Sequence, residues 1–186
     1  ISLTFLTNFS LLNKTVVIVK FGVPPYFFKL GKTMKLEPLF IAKENKLYKI
    51  EDDSLFDLTN LKTYELKWSE LELEEESYNE ELLANLREQL KNLEISNTFA
   101  ILIPVVDKPL QTPEQFELFA NAYNHAARRI KDCISLVGIE LPKELTAQGF
   151  DEDSEYQNFV GLLTKKHSHY VYFSKQKDVP SQVVIL

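Results

Sequence analysis

The sequence predicts an α/β protein in which parallel strands alternate with helices, preceded by an antiparallel β segment. Residues 59–186 alternate apolar runs with amphipathic helical patterns, which is typical of strand-helix repeats. The run at 99–106 lacks polar alternation, as expected of a central strand covered on both faces. The first fifty residues instead carry short strands separated by turn residues. We therefore expect a β-rich segment over 1–58 and a β/α domain over 59–186.

The β/α domain is predicted element by element from hydrophobic period and helix-start signals. Capping boxes, in which a side chain at each end satisfies a free helix amide, are predicted at Ser77–Glu80 and Thr112–Gln115. The tail at 183–186 adds one more strand or covers an edge. Strands are expected at 61–68, 99–106, 135–141 and 169–173, and helices over 79–94, after Thr112 and over 154–167.

The N-terminal segment reads as antiparallel. A strand is predicted at 15–20, followed by a Gly-Pro break and the aromatic residues 26–28. The apolar stretches 39–42 and 47–50 flank the polar residues 43–46, which predicts a hairpin with a four-residue loop.

Composition excludes several function classes. The 186 residues carry a net charge of −6, so the chain has no basic footprint for nucleic acid. No run approaches the roughly 20 apolar residues that span a bilayer, so no membrane span is expected. Glycine is scarce, with five in total, so a phosphate-cradling loop and a cofactor are not expected. The single cysteine, Cys133, is interpreted as a buried structural thiol.

No metal site is predicted. The three histidines, His125, His167 and His169, have no cysteine or paired carboxylate at ligand spacing. The acidic run at 70–76 is interpreted as a solvated entry to the following helix, where the helix dipole favours negative charge.

Three segments together resemble a known family. Trp-Ser-Glu-Leu-Glu at 68–72, the strand at 101–107 and Gly-Ile-Glu-Leu-Pro-Lys-Glu at 138–144 resemble consecutive strands of the cellulase-like, endoglucanase-type (family 5-like) glycoside hydrolases. Those enzymes are (β/α)8 barrels. The resemblance covers about 60–175 and implies roughly half of such a barrel, about four of its eight strand-helix units.

The resemblance also nominates site residues. Glu144 falls where the family has its general acid, so it is the catalytic candidate. Trp68, Glu140 and Asp107 are the substrate-binding candidates, because the carboxyl ends of parallel strands meet at one rim. Sugars stack on exposed aromatic faces, a role expected for Trp68 and open to the aromatic residues 26–28. Two interpretations of Glu140 and Glu144 are open: an acid-base pair, or a polar barrel residue and a helix-start or loop carboxylate, respectively.

The second carboxylate of the family lies on a later strand, outside the part that the resemblance covers. Retaining hydrolysis needs two carboxyl groups about 5–5.5 Å apart, so Glu144 alone does not suffice. The first hypothesis is therefore a non-catalytic or degenerate cellulase-like domain that binds carbohydrate or a protein partner at the strand C-terminal rim. The second is a glycoside hydrolase acting on β-linked glycans, with Glu144 as general acid/base and a nucleophile supplied from elsewhere. The third is a structural or interaction protein with no small-molecule site.

The partners follow from these hypotheses. Carbohydrate is the expected ligand. A homodimer is expected as well, because a half-barrel leaves open sheet edges that must be paired or covered.

Overall fold

A computed structural model describes residues 36–147 and 149–186. The predicted strand at 15–20 and the aromatic residues 26–28 lie outside the described residues. The strands are β1 (Phe40–Lys43), β2 (Lys46–Lys49), β3 (Leu61–Lys67), β4 (Glu72–Glu74), β5 (Ser77–Tyr78), β6 (Phe99–Val105), β7 (Leu136–Glu140), β8 (Val171–Ser174) and β9 (Val183–Ile185). The helices are α1 (Trp68–Leu71), α2 (Glu80–Ile95), α3 (Pro113–Arg129), α4 (Lys143–Thr146) and α5 (Glu155–Thr164), with a 3-10 turn at Leu58–Asn60.

A five-stranded sheet in the order β3-β6-β7-β8-β9 forms the centre of the described chain. Every neighbouring pair in it is parallel. The spatial order equals the chain order, as in a barrel wall, whereas a doubly wound sheet reverses direction at its middle. The predicted α/β class with parallel repeats and an antiparallel β pair near the N-terminus is confirmed, and the tail strand joins the sheet as β9.

Helix α3 begins as the sequence predicts. The Thr112 hydroxyl accepts a hydrogen bond from the Gln115 backbone amide, and the side-chain oxygen of Gln115 accepts one from the Thr112 backbone amide. The capping box predicted at Ser77–Glu80 is wrong, because Ser77 lies in β5. The side chain of Asn79 caps α2 instead, by accepting a hydrogen bond from the Leu82 amide. Asparagine is as strong an N-cap as serine, and the strand pairing of Ser77 decides between them.

The acidic run does not enter a helix. Residues Glu72–Glu74 form β4, which turns back through Glu76, at φ 59°, to pair with β5. Within this run Glu72 is buried, whereas the prediction had it solvated. The prediction failed because a Trp68 indole 2.7 Å away supplies a hydrogen bond to the Glu72 carboxylate.

Two apolar layers cover the two faces of the sheet. The helices pack on one face, around Phe119, Tyr123 and Phe159. On the other face, Phe40 and Leu47 of the β1–β2 hairpin pack against a smaller cluster that includes Phe173. Cys133 is fully buried in the helical layer, as predicted, and burial raises the pKa of its thiol to about 11. The predicted division between 1–58 and 59–186 stays a prediction.

The β1–β2 hairpin turns through two residues rather than the predicted four. Lys43 pairs with Lys46, so only Glu44 and Asn45 lie outside the ladder, and both have positive φ, at 50° and 61°. Two-residue hairpin turns match the right-handed twist of the strands when both central residues have positive φ, and asparagine tolerates that conformation.

Asn45, at the tip of this hairpin, is bound to the free edge of β9. Its backbone carbonyl accepts from the Ile185 amide at 3.1 Å, and its side-chain amide donates to the Val183 carbonyl at 2.8 Å. A further side-chain bond of 2.8 Å reaches the Pro180 carbonyl, and the Asn45 backbone amide donates to Ser181 at 3.0 Å. In a parallel ladder one residue accepts from one amide and donates to the carbonyl two residues earlier, so Asn45 imitates a neighbouring strand.

Replacing Asn45 with alanine is expected to lower the free energy of unfolding by about 2–3 kcal/mol. The variant loses three side-chain hydrogen bonds, of which the one to the Val179 carbonyl is long at 3.4 Å, and it places an alanine at positive φ. Asn45→Gly, which tolerates the backbone conformation, should lose about 1 kcal/mol less. Urea unfolding followed by circular dichroism measures both. Wild-type stability in Asn45→Ala would show that these bonds contribute nothing.

Candidate functional site

The carboxyl ends of the parallel strands define one rim of the sheet. Trp68 follows β3, Asp107 follows β6, Glu140 ends β7 and Lys175 follows β8. Because neighbouring strands are parallel, these residues lie at the same end of the sheet. The sequence-predicted site residues therefore share one rim, and their contacts divide them into two networks and one separate residue.

The first network joins the ends of β7 and β8 through Glu140. This residue is 7 % exposed, and its Oε1 lies 2.9 Å from the ammonium of Lys175, whose side chain is 70 % exposed. The other carboxylate oxygen, Oε2, is buried and has no hydrogen-bond partner within residues 36–147 and 149–186. Buried carboxylate oxygens almost always accept a hydrogen bond, so this oxygen is a vacant acceptor beside an exposed cation.

The second network joins the ends of β3 and β6 around Trp68. The indole packs edge-to-face on Phe119, with ring centroids 5.3 Å apart, and its Nε1 donates to Glu72 at 2.7 Å. The Lys108 ammonium lies 5.1 Å from the indole centroid and 3.7 Å from the Glu72 carboxylate. Lys108 also donates to the Glu72 backbone carbonyl at 2.8 Å.

Trp68 was expected to offer an open face for sugar stacking, but its side chain is only 3 % exposed. A ring buried against Phe119 offers no such face. Trp68 is buried because Phe119 and other residues of the helical layer pack over its side chain. In the described structure Trp68 acts at the rim through its hydrogen bond to Glu72.

Asp107 is exposed and is fixed by Ser69. Its carboxylate accepts a hydrogen bond from the Ser69 amide at 2.9 Å and another from the Ser69 hydroxyl. Partial burial raises the pKa of Asp107, but the side-chain and backbone hydrogen bonds from Ser69 outweigh it and lower the pKa below 3.8. Asp107 is therefore an ionised acceptor at neutral pH.

Glu144 stands apart from both networks. It is half-buried on the short helix α4, and it makes no hydrogen bond or ion pair with the residues that the structure describes. The strand β7 ends at Glu140, and Pro142 leads into α4 with an extended backbone at ψ 147°. The strand alternation that would put Glu140 and Glu144 on one face is therefore broken between them.

Sequence reasoning missed Glu72 and Lys175. The spacing of Trp68 and Glu72, four residues apart, is a local signal for a side-chain pair. Lys175 reaches Glu140 from 35 residues further along the chain, and no sequence pattern marks that contact.

The described residues contain neither a metal cluster nor a membrane-spanning helix. No group of three histidine, cysteine, aspartate or glutamate side chains within 36–147 and 149–186 is arranged to hold a metal ion. In the same part of the chain no helix is both long and apolar enough to cross a bilayer.

Comparison with solved structures places this architecture. Endo-glycoceramidase II from Rhodococcus sp., in complex with a cellobiose-like imidazole, matches with a TM-score of 0.50 at 12 % identity over 62 % of this chain. The chain has part of a cellulase-like fold. It spans 40 % of the length of that enzyme, so the likeness concerns the fold of one part of it.

A GH5_18 protein from Bifidobacterium longum subsp. infantis matches at 8 % identity, over 65 % of this chain and 37 % of its own, with a TM-score of 0.46. No protein-family model and no curated protein matches this sequence. The resemblance to cellulase-like glycoside hydrolases inferred from the sequence is confirmed for the fold and for part of the chain.

Proposed function

We propose that this chain is a non-catalytic relative of cellulase-like barrels that binds carbohydrate at the strand C-terminal rim. The observation that carries the proposal is the vacant, buried Oε2 of Glu140 beside the exposed Lys175 ammonium. A sugar hydroxyl can reach this buried oxygen only when the side chains over it move. It would then satisfy the vacant acceptor, and the exposed Lys175 can donate to a second hydroxyl.

The rim carboxylates support binding rather than hydrolysis. Glu72 and Glu140 each form an ion pair with a lysine from the neighbouring strand end, and Asp107 is held by Ser69. These contacts tie adjacent rim segments together. Two-carboxylate hydrolysis needs an acid and a second carboxyl group facing the same glycosidic bond. Glu72, Glu140 and Asp107 are engaged in the contacts above, and Glu144 makes no hydrogen bond or ion pair with the described residues.

A β-linked glucan fragment is the first ligand to test. The Rhodococcus endo-glycoceramidase structure is a complex with a cellobiose-like imidazole, which directs the test to the same sugar class here. We expect the full chain to bind cellotetraose, and Glu140→Gln to weaken binding about tenfold, because a neutral amide is a poorer acceptor for the hydroxyl. Isothermal titration calorimetry measures both affinities.

Glu70→Gln is the matched control. It makes the same change at an exposed carboxylate that pairs with Lys67 at 2.7 Å. Its affinity should equal that of the unmodified chain, because an exposed surface ion pair contributes little. Equal losses in Glu70→Gln and Glu140→Gln, or no binding to cellotetraose at all, would contradict the carbohydrate proposal and favour a protein partner at the rim.

The second candidate function is glycoside hydrolysis with Glu144 as general acid/base. It is favoured by the half-buried, unpaired carboxylate at the position that resembles the family acid. Incubation of the chain with β-linked glucans is expected to give no turnover. Turnover that disappears in Glu144→Gln would overturn the non-catalytic assignment. Light scattering on the same samples tests the predicted homodimer, through which a second copy would supply the nucleophile.

A further inference from the structure

A cleft lies at the opposite end of the sheet from the rim. It encloses about 480 Å³ beside Leu61 and Phe99, which are the first residues of β3 and β6. This volume falls within the range of about 300–1,000 Å³ that is common for small-molecule sites. The cleft is separate from Glu140 and Lys175, which lie where strands end rather than begin.

Among the residues that the structure describes, the polar lining of the cleft is rich in hydrogen-bond donors and contains no carboxylate. Lys49 and Lys62 contribute two ammonium groups, and Asn60 and Asn97 contribute two amide side chains. Lys62, Asn60 and Asn97 make no side-chain hydrogen bond or ion pair in the described part of the chain, so all three are available to a ligand. Two cations without a lining anion stand out in a chain whose net charge is −6.

Asp57, a carboxylate adjacent in sequence to the lining residue Phe56, already accepts hydrogen bonds from the turn that it begins. Asp57 precedes the 3-10 turn and accepts from both the amide and the hydroxyl of Thr59, at 3.0 and 2.8 Å. These hydrogen bonds lower the pKa of Asp57 and keep it ionised at the edge of the cleft, where Thr59 satisfies it. Lys62 is therefore left to attract an anion from solution, together with Lys49, whose charge also helps to lower the pKa of Asp52.

The cleft also has an apolar wall. The rings of Phe56 and Phe99 meet edge-to-face at 5.9 Å, and the Lys49 ammonium lies 5.7 Å from the Phe56 centroid. Aromatic faces beside ammonium and amide donors suit a small ring compound that has both an apolar face and an anionic group.

We infer that this cleft binds a sugar carrying a phosphate or a carboxylate, with Lys49 and Lys62 holding the anionic group against the Phe56–Phe99 wall. This site is independent of the rim. Sugar phosphates and sugar acids both combine a ring with an anionic group, and titration with each class shows which of them binds.

The test is calorimetric titration of the full chain, at low salt, with glucose 6-phosphate, glucuronate and glucose, each up to about 10 mM. At least one of the anionic sugars should bind more tightly than glucose, and the tighter one identifies the anion. Lys62→Gln should weaken that binding about fivefold, and Lys49→Gln combined with Lys62→Gln more than about tenfold. Lys62 is unpaired, so folding should tolerate its replacement.

Lys46→Gln is the matched control, because Lys46 is an exposed lysine on the same hairpin and does not line the cleft. Lys46→Gln should bind the anionic sugar as the unmodified chain does. Equal binding of glucose and the anionic sugars, an equal loss in Lys46→Gln, or no binding would overturn the inference. A loss in Glu140→Gln alone would move the anion site to the rim and would equally overturn it.

Discussion

Gly138→Ala is expected to prevent the chain from folding or to lower its free energy of unfolding by about 4 kcal/mol or more. A Cβ atom at this position would lie 1.7 Å from the carbonyl oxygen of Val171 and 2.8 Å from the Val171 amide nitrogen. Gly138 is paired with Val171 on one side and with Ile101 on the other. The backbone is held from both sides, so neither neighbour can withdraw without breaking its own ladder.

Thermal and urea unfolding followed by circular dichroism measure the effect, with Gly161→Ala as the matched control. Gly161 lies in α5, and an added Cβ there meets no atom within 4 Å. Alanine is a better helix former, so this variant should gain up to about 1 kcal/mol. A Gly138→Ala protein that melts near the wild-type temperature would disprove the close approach of β7 and β8.

Acidification is expected to destabilise the fold through His167 by about 3 kcal/mol between pH 6.5 and pH 4. The side chain is 1 % exposed, and neither ring nitrogen has a hydrogen-bond partner in residues 36–147 and 149–186. Burial, aided by the positive charges of Lys131 and Lys166 and by His169, lowers the pKa of His167 from 6.5 to about 4.

Acid lowers the free energy of unfolding because the unfolded state binds the proton more readily than the folded state. Between pH 6.5 and pH 4 the unfolded chain protonates this histidine while the folded chain does not, so acid favours unfolding. The stabilising contribution is complete above pH 6.5, falls as the pH drops towards 4 and changes no further below that.

Urea unfolding at pH 7.0, 5.5 and 4.5 measures the loss in the wild type, in His167→Phe and in His125→Gln. The phenyl ring preserves the stacking on Tyr170, whose ring centroid lies 5.8 Å from that of His167, and it cannot take up a proton. His167→Phe should therefore lose distinctly less stability than the wild type. His125→Gln, which removes a histidine that contacts Glu80 at 2.9 Å, should retain the loss attributed to His167. Parallel pH curves for the wild type and His167→Phe would show that carboxylates cause the acid sensitivity.

Local patterns were sufficient to predict much of the fold. The capping box at Thr112 and the unbroken apolar run of β6 depend only on neighbouring residues, and both are confirmed. The failures all involve contacts made across the chain or competition between two local options. Ser77 was a sound N-cap, but it was withdrawn into a strand by pairing with Glu74. The two-residue turn at Glu44 and Asn45 requires positive φ at a glutamate, which composition does not signal.

The candidate site shows the same division. The sequence indicated that Glu140, Asp107 and Trp68 lie near strand ends, because strand ends are local. It did not reveal that Lys175 neutralises Glu140, since that contact depends on how β7 and β8 align. Nor did it reveal that Trp68 is covered by Phe119, a residue from a helix 51 positions along the chain. Burial of a rim residue depends on its tertiary contacts, which the hydrophobic pattern of a strand does not predict.

The hairpin tip at Asn45 limits how the five-stranded sheet can be extended beyond β9. An incoming strand from another polypeptide would find the Ile185 amide and the Val183 carbonyl already engaged. Such a strand must first expel the tip, so β9 resists the edge-to-edge growth that leads to swapped or fibrous assemblies. A strand from another polypeptide would meet least resistance beside β3, where the described residues contribute no outer neighbour.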